Sequence, residues 1–310
     1  MNRFSLRDRT DRLDAQTQHE EIVRILATQE FPWDINQALS FALFRTYAVP
    51  SIGVLLHETG EFAARTQKRY DDTVLILDTI LEHGITSQPG RAAFRRMNQM
   101  HGAYDISNDD MRYVLATFVV TPVRWLAQYG WRALTPHEVE AWTNYYRDVG
   151  RHMGIRDILE TYEAFTTFMD DYEARHFAYD ERARAVADAT LELLTTFTPT
   201  NRAPKRLVRL FARTLMEDPL LDAFRYERPS SLSRTVFRSA LKLRGQFVRY
   251  FLSPRDAPLY GRNLPNVRSY PQGYDVEKLG TFPKTCPVHH HRASTSEDAP
   301  RPAPPPPTGT

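Results

Sequence analysis

The chain has 310 residues and a mass of 35.9 kDa, and its 42% hydrophobic and 25% charged residues exclude wholesale disorder and call for a real core. Lys and Arg number 40 against 38 Asp and Glu, so the net charge of +2 is too even for the electrostatic footprint of a dedicated nucleic-acid binder. A single cysteine, Cys286, excludes an internal disulfide framework and a cysteine-based zinc site, in keeping with a reducing compartment.

Residues 1–16 form a charged segment in which Arg and Asp alternate, without the continuous apolar core that a signal peptide needs. From about residue 17 to 254 the periodicity is helical rather than alternating, which predicts one large multi-helix domain of all-α class. Apolar residues recur at three and four over Asn36–Phe44 and Asp71–Leu81, and Gly84 is placed to end the second helix. Ser87 to Gly90 reads as a turn before a helix over Arg91–His101. Ser107-Asn-Asp-Asp110 has the form of a capping box and opens a helix that continues past Trp125.

Thr135-Pro-His-Glu138 is a second helix start, with a capping Thr, Pro at the first helical position and Glu at the third. That helix turns Trp142, Tyr145, Tyr146 and Val149 inward and ends near Gly150 to Gly154. The next, from about Asp157, strings Phe165, Met169, Tyr172 and His176 along one stripe. Further helices follow over Arg182–Phe197, Lys205–Met216 and Thr235–Leu252. Residues 255–287 read as a Pro-rich extended arm packing on the domain, and residues 288–310 as a disordered tail.

No run approaches the about 18 uninterrupted apolar residues of a spanning helix, since Tyr113–Leu126 and Thr235–Leu252 are both broken by Arg or Lys. The expectation is a cytoplasmic protein, with contact to a membrane surface left open. Thr235–Leu252 is where such contact would form, because Val236, Ala240, Leu243, Phe247 and Phe251 share one face and Arg234, Arg238, Lys242, Arg244 and Arg249 ring the rest. The preferred reading is plainer: an ordinary surface helix with its apolar side in the core.

Only 13 glycines occur and neither GxGxxG nor GxxxxGK[ST] is present, while aromatic residues reach 12%. Nucleotide-cradling loops are therefore not expected, and a helical interior holding something large and apolar is. Nucleophile elbows, HExxH and paired CxxC are also missing. Histidine on helices remains. His101 closes the face Phe94, Asn98, His101 with Arg95 and Arg96 beside it, and His176 lies on the aromatic stripe. A neutral imidazole facing an aromatic cavity can ligate haem iron and a neighbouring Arg can pair with a propionate, whereas either His can equally be a hydrogen-bonded packing residue. Glu173-Ala-Arg-His176 also spells E-x-x-H, an element of di-iron bundles, but a second copy is lacking. His289, His290 and His291 sit in the tail segment and read as non-functional.

An ordered string of motifs carries a family resemblance across roughly residues 40 to 280. It comprises Thr59-Gly-Glu-Phe62, Lys68-Arg-Tyr-Asp-Asp-Thr73, Arg95-Arg-Met-Asn-Gln-Met-His-Gly-Ala-Tyr104, Ser107-Asn-Asp-Asp-Met111, Pro122-Val-Arg-Trp125, Tyr129-Gly-Trp-Arg132, Val149-Gly-Arg-His-Met-Gly-Ile155 and Glu173-Ala-Arg-His-Phe177. The chain resembles the oxygenase family of MpaB and the rubber oxygenases (latex-clearing proteins), closest to the MpaB-like branch.

The resemblance implies an all-helical fold, a b-type haem and O2-dependent oxidation or cleavage of a hydrophobic, isoprenoid-like double bond. Where rubber oxygenases present their axial His, the nearest match here is Leu115, which cannot bind iron. A haem ligand must then be His176 or His101. The favoured order has His176 as proximal ligand, His101 and Asn98 on the distal or substrate side, and Arg95 or Arg96 on a propionate; the reverse order stays open. Two other readings stand beside it: a non-haem iron oxygenase using Glu173 and His176, and a non-catalytic helical protein binding lipid or a membrane surface.

Overall fold

Apolar spacing of three and four runs through almost every segment, and the chain answers it with helices. The computed structural model describes residues 3–281, and among them there are fourteen α-helices and no strand. In chain order they are α1 (Ser5–Thr10), α2 (His19–Ile25), α3 (Pro32–Tyr47), α4 (Pro50–Glu58), α5 (Glu61–Ala64), α6 (Thr66–His83) and α7 (Gln88–His101). There follow α8 (Asn108–Tyr129), α9 (Pro136–His152), α10 (Tyr162–His176), α11 (Glu181–Leu194), α12 (Lys205–Leu215), α13 (Asp218–Ala223) and α14 (Ser231–Phe251). The all-α reading holds.

The caps explain why several boundaries were readable. Ser107 accepts a hydrogen bond from the Asp110 amide at 3.0 Å, and Thr135 and Glu138 exchange both bonds of a capping box at the start of α9. Gly84 ends α6 with φ of +89°, a conformation that favours glycine. Among the boundaries that differ from expectation, two have a clear local cause. The helix expected from Arg91 begins at Gln88, because Ser87 caps it and Pro89 lies in the first turn, where a missing N–H costs no helical bond. The helix expected from Asp157 begins only at Tyr162, since Asp157 takes φ of +54° and Thr161 supplies the cap.

The centre is α8, whose Tyr113, Ala116, Val119 and Val120 are fully buried between α3, α9 and α10. A second apolar cluster, around Phe44, Val186, Leu221 and Phe224, joins α11, α12 and α13 to the same α3. Residues 255–281 lie along α6. That segment has few backbone bonds of its own, so two buried aspartates on one face of α6 accept its amides instead. Asp71 Oδ2 takes Arg268 N at 3.0 Å and Ser269 N at 2.8 Å, and Asp78 takes Arg262 N at 2.8 Å. The tail at 288–310, the trio His289 to His291 and Cys286 lie outside the described residues.

The preferred expectation for the basic helix is overturned. Leu243, Phe247 and Phe251 point outward, and the side of α14 that meets α8 is occupied by Leu241 and Gly245. A Cβ on Gly245 would stand 2.8 Å from the Tyr129 carbonyl oxygen and 3.0 Å from that of Gly130. Close backbone approach at a glycine thus fixes which face of α14 looks in. Among the described residues no single helix is long and apolar enough to cross a membrane.

Candidate functional site

A cavity of about 510 Å³ opens between α3, α4, α6, α7, α8, α9 and α11, with Gly280 and Thr281 of the C-terminal segment at its edge. Its wall is mainly aliphatic and aromatic, and the volume lies within the roughly 300–1,000 Å³ of small-molecule and cofactor sites. A narrower chamber of about 120 Å³ adjoins it, and Tyr70, Phe118 and Tyr146 belong to the walls of both. Leu115 of α8 also faces this cavity.

His101 is the histidine of the wall, placed there as the last residue of α7. Its Nδ1 is buried and has no hydrogen-bond partner. Burial, with the Arg69 guanidinium as the lesser cause, pushes its pKa down to about 4. The end of a helix favours a protonated imidazole by at most about 2 kcal/mol, whereas a drop from about 6.5 to about 4 is worth roughly 3 kcal/mol against it. Desolvation wins, and the ring is neutral at physiological pH. Arg69, on α6, supplies a positive charge to the same wall, with one Nη anchored to Thr73 Oγ1 at 2.5 Å.

The remaining acid of note is Asp110. Its Oδ1 accepts from Ser51 Oγ at 2.9 Å and from Tyr172 Oη at 2.8 Å, which satisfies a buried carboxylate at the cavity edge. The phenol of Tyr172 is pushed up by burial and by that bond.

The other sequence-derived candidates do not join His101. His176 is exposed at the end of α10 and stacks on Tyr172, ring centroids 4.2 Å apart, outside the cavity. Asn98 donates to the His152 carbonyl oxygen at 2.8 Å, Arg95 meets Glu277 at 3.4 Å, and Arg96 donates to the Leu279 carbonyl oxygen. These three therefore brace α7 against α9 and the C-terminal segment. Glu173 is engaged by a buried ion pair: Arg45 Nε and Nη2 reach its two oxygens at 2.7 and 2.6 Å, and Tyr113 Oη donates to Oε1 at 3.1 Å. Glu173 is thus not free to act with its E-x-x-H partner His176. Among the described residues no group of three or more His, Cys, Asp or Glu is arranged to hold a metal ion.

Arg69 and Asp110 are wall residues that escaped sequence reasoning about the site. Arg69 lies inside Lys68-Arg-Tyr-Asp-Asp-Thr73 and Asp110 inside Ser107-Asn-Asp-Asp-Met111, so the motifs that carry the resemblance were the available signal.

The family model described as "ER-bound oxygenase mpaB/B'/Rubber oxygenase, catalytic domain" matches residues 37–245. The chain is 32% identical over 261 residues to ER-bound oxygenase mpaB' of Penicillium brevicompactum, covering 78% of this chain and 61% of that protein. It is 29% identical over 261 residues to ER-bound oxygenase mpaB of the same organism, covering 78% and 60%. With mpaB of Penicillium roqueforti (strain FM164) it shares 31% identity over 224 residues, covering 66% and 74%. The chain thus spans about three fifths of the length of the two P. brevicompactum relatives.

Proposed function

The chain belongs to the family of ER-bound oxygenase mpaB/B' and the rubber oxygenases, an oxidoreductase family, and from that premise we propose that its reaction takes place in the cavity walled by His101, Arg69 and Leu115. The observation that carries the reading is the buried, unpartnered Nδ1 of His101 at the edge of a large apolar space. Buried polar nitrogens are almost always satisfied, so one without a protein partner in a cavity wall is free to meet a bound group or a water.

The residues fit the b-type haem that the resemblance implies. A neutral imidazole is the form that ligates iron, Arg69 provides a guanidinium for a propionate, and the surrounding wall is apolar. His101 would hold the group and Arg69 would orient it, which reverses the order favoured from sequence. When bound, such a haem supplies the activation of O2.

The rest is done by the chain. The aliphatic wall excludes water from the reacting centre. Tyr70, Phe118 and Tyr146 belong to the walls of both the cavity and the narrower chamber, and two adjoining apolar spaces suit a flexible apolar chain with an isoprenoid-like double bond. Asp110 Oδ1 accepts from Ser51 and Tyr172, so that oxygen is engaged by the protein rather than presented to an apolar substrate.

The test is optical. Purified protein, supplemented with haem, should show a Soret band that shifts with dithionite and CO; His101→Ala should abolish it and His176→Ala should leave it. A missing band after supplementation, or one that survives His101→Ala, would reject the proposal.

A further inference from the structure

The exposed face of α14 is the largest feature that the cavity chemistry leaves unexplained. Leu232 is 74% exposed, Leu243 69%, Tyr250 69% and Phe251 73%, with Val236 and Phe247 also more than half exposed. Counted at 100° per residue, these six fall within one sector opposite Gly245, the residue pressed against the end of α8. Single exposed apolar side chains are ordinary, but a continuous stripe along a 21-residue helix is not.

Charge identifies what the stripe meets. Between Pro229 and Arg255 the sequence holds no Asp or Glu. Three of the helix's cations are engaged inward: Arg234 with Asp218, Arg238 with the Thr214 carbonyl oxygen, and Arg244 with Asp34. Lys242 and Arg249 are also exposed, on the flank of the helix between the stripe and Gly245, and the Arg249 guanidinium reaches the edge of the stripe over the Tyr250 ring, its carbon 5.4 Å from the centroid. An aromatic and aliphatic stripe with long exposed cations on the adjoining flank, able to reach up beside it, is the arrangement of a helix lying in a lipid interface. A second copy of α14 would bring the same cations together without any acid to meet them.

We propose that α14 is a membrane-docking face that lies flat in the headgroup region of an anionic phospholipid surface, with Leu243, Phe247, Tyr250 and Phe251 inserted and Lys242 and Arg249 on lipid phosphates. Nothing in this depends on haem. Trp33 is a built-in reporter, since it is partly exposed and the Arg244 guanidinium stacks over it at 4.1 Å beside this face.

Flotation of the full chain with vesicles of phosphatidylcholine, alone or mixed with phosphatidylserine, tests it. The full chain should float with the mixed vesicles, less with the neutral ones and less at high salt, and its tryptophan emission should shift to the blue. Phe247→Ser with Phe251→Ser should lower the partition coefficient by an order of magnitude or more at an unchanged melting temperature, and Lys242→Glu with Arg249→Glu should remove the preference for phosphatidylserine. No flotation with either vesicle, or flotation that neither pair alters, overturns the proposal. So does a dimer seen by light scattering that Phe247→Ser dissociates while vesicles are ignored, which would assign the face to a second copy.

Discussion

Arg45 and Glu173, separated by 128 residues, form a two-pronged ion pair in the interior, and it is this pair that turns an E-x-x-H sequence into a brace between α3 and α10. Both side chains are about nine-tenths buried, with exposures of 11% and 9%. The pair holds the Arg45 guanidinium above its ordinary range, with its bonds to Glu173 outweighing burial, and the Tyr113 phenol rises mainly through burial.

Glu173→Gln should therefore cost about 3 kcal/mol, because removing one charge of a buried pair leaves the other poorly compensated. Glu217, on Arg45 Nη2 at 2.9 Å, keeps the cost from being larger. Urea unfolding checks this. Wild-type stability in Glu173→Gln, together with loss of bound iron, would instead restore Glu173 as a ligand.

In the haem-free chain His101 should imprint itself on the pH dependence of stability. Its pKa in the folded chain is about 4, below the ordinary value of about 6.5, so between those limits the unfolded chain binds a proton that the folded chain does not. Stability then falls as pH drops through this window, by an amount on the order of 3 kcal/mol for this residue. Burial moves the carboxyls of Glu30, Asp34 and Asp78 up, which acts in the opposite sense, so the contribution is read as wild type minus His101→Gln. A difference curve flat between pH 4 and 6.5 would show that the ring is not desolvated.

Asp71→Ala should release the C-terminal segment from α6. The carboxylate is fully buried and accepts from the amides of Arg268 and Ser269 and from Gln67 Nε2 at 2.7 Å, so several donors lose their partner together. A loss of about 2–4 kcal/mol is expected, with faster amide exchange over residues 262–281 and greater access to the cavity that Gly280 and Thr281 border. Exchange unchanged in that segment would mean that Leu279, itself fully buried, anchors it alone.

Gly150→Ala tests the cavity from its other side. The added Cβ would lie 2.6 Å from Leu115 Cδ2 and 3.0 Å from Ile158 Cδ1. Leu115 borders open space and can swing into it, so the stability loss should stay near about 1–2 kcal/mol while haem uptake, measured as Soret absorbance, falls. A larger loss of stability with full uptake would show that α9 shifts rather than Leu115.

Helix identity was legible because caps are local. Ser107 and Thr135 announce themselves by residues three positions on, and Gly84 by the one conformation that suits it. The site was legible only in part. His101 does face the cavity, but Arg95 and Arg96 were drawn in by adjacency in sequence and Asn98 by its spacing of three from His101, and these three reach α9 and the C-terminal segment instead. His176 follows the buried Phe165, Met169 and Tyr172 at correct spacing, yet it lies at the end of α10, where the stripe has already emerged into solvent.

By itself the sequence determined an all-α chain of the mpaB and rubber oxygenase family, because periodicity, caps and ordered motifs are written in neighbouring residues. Tertiary structure alone decided which histidine borders the cavity, what engages Glu173 and which side of α14 faces out. Each of those turns on a contact between segments distant in the chain: α7 with α6, Arg45 with Glu173, and Gly245 with the backbone at Tyr129. An amphipathic pattern states that a helix has two faces, and only the partner that reaches one of them fixes which is buried.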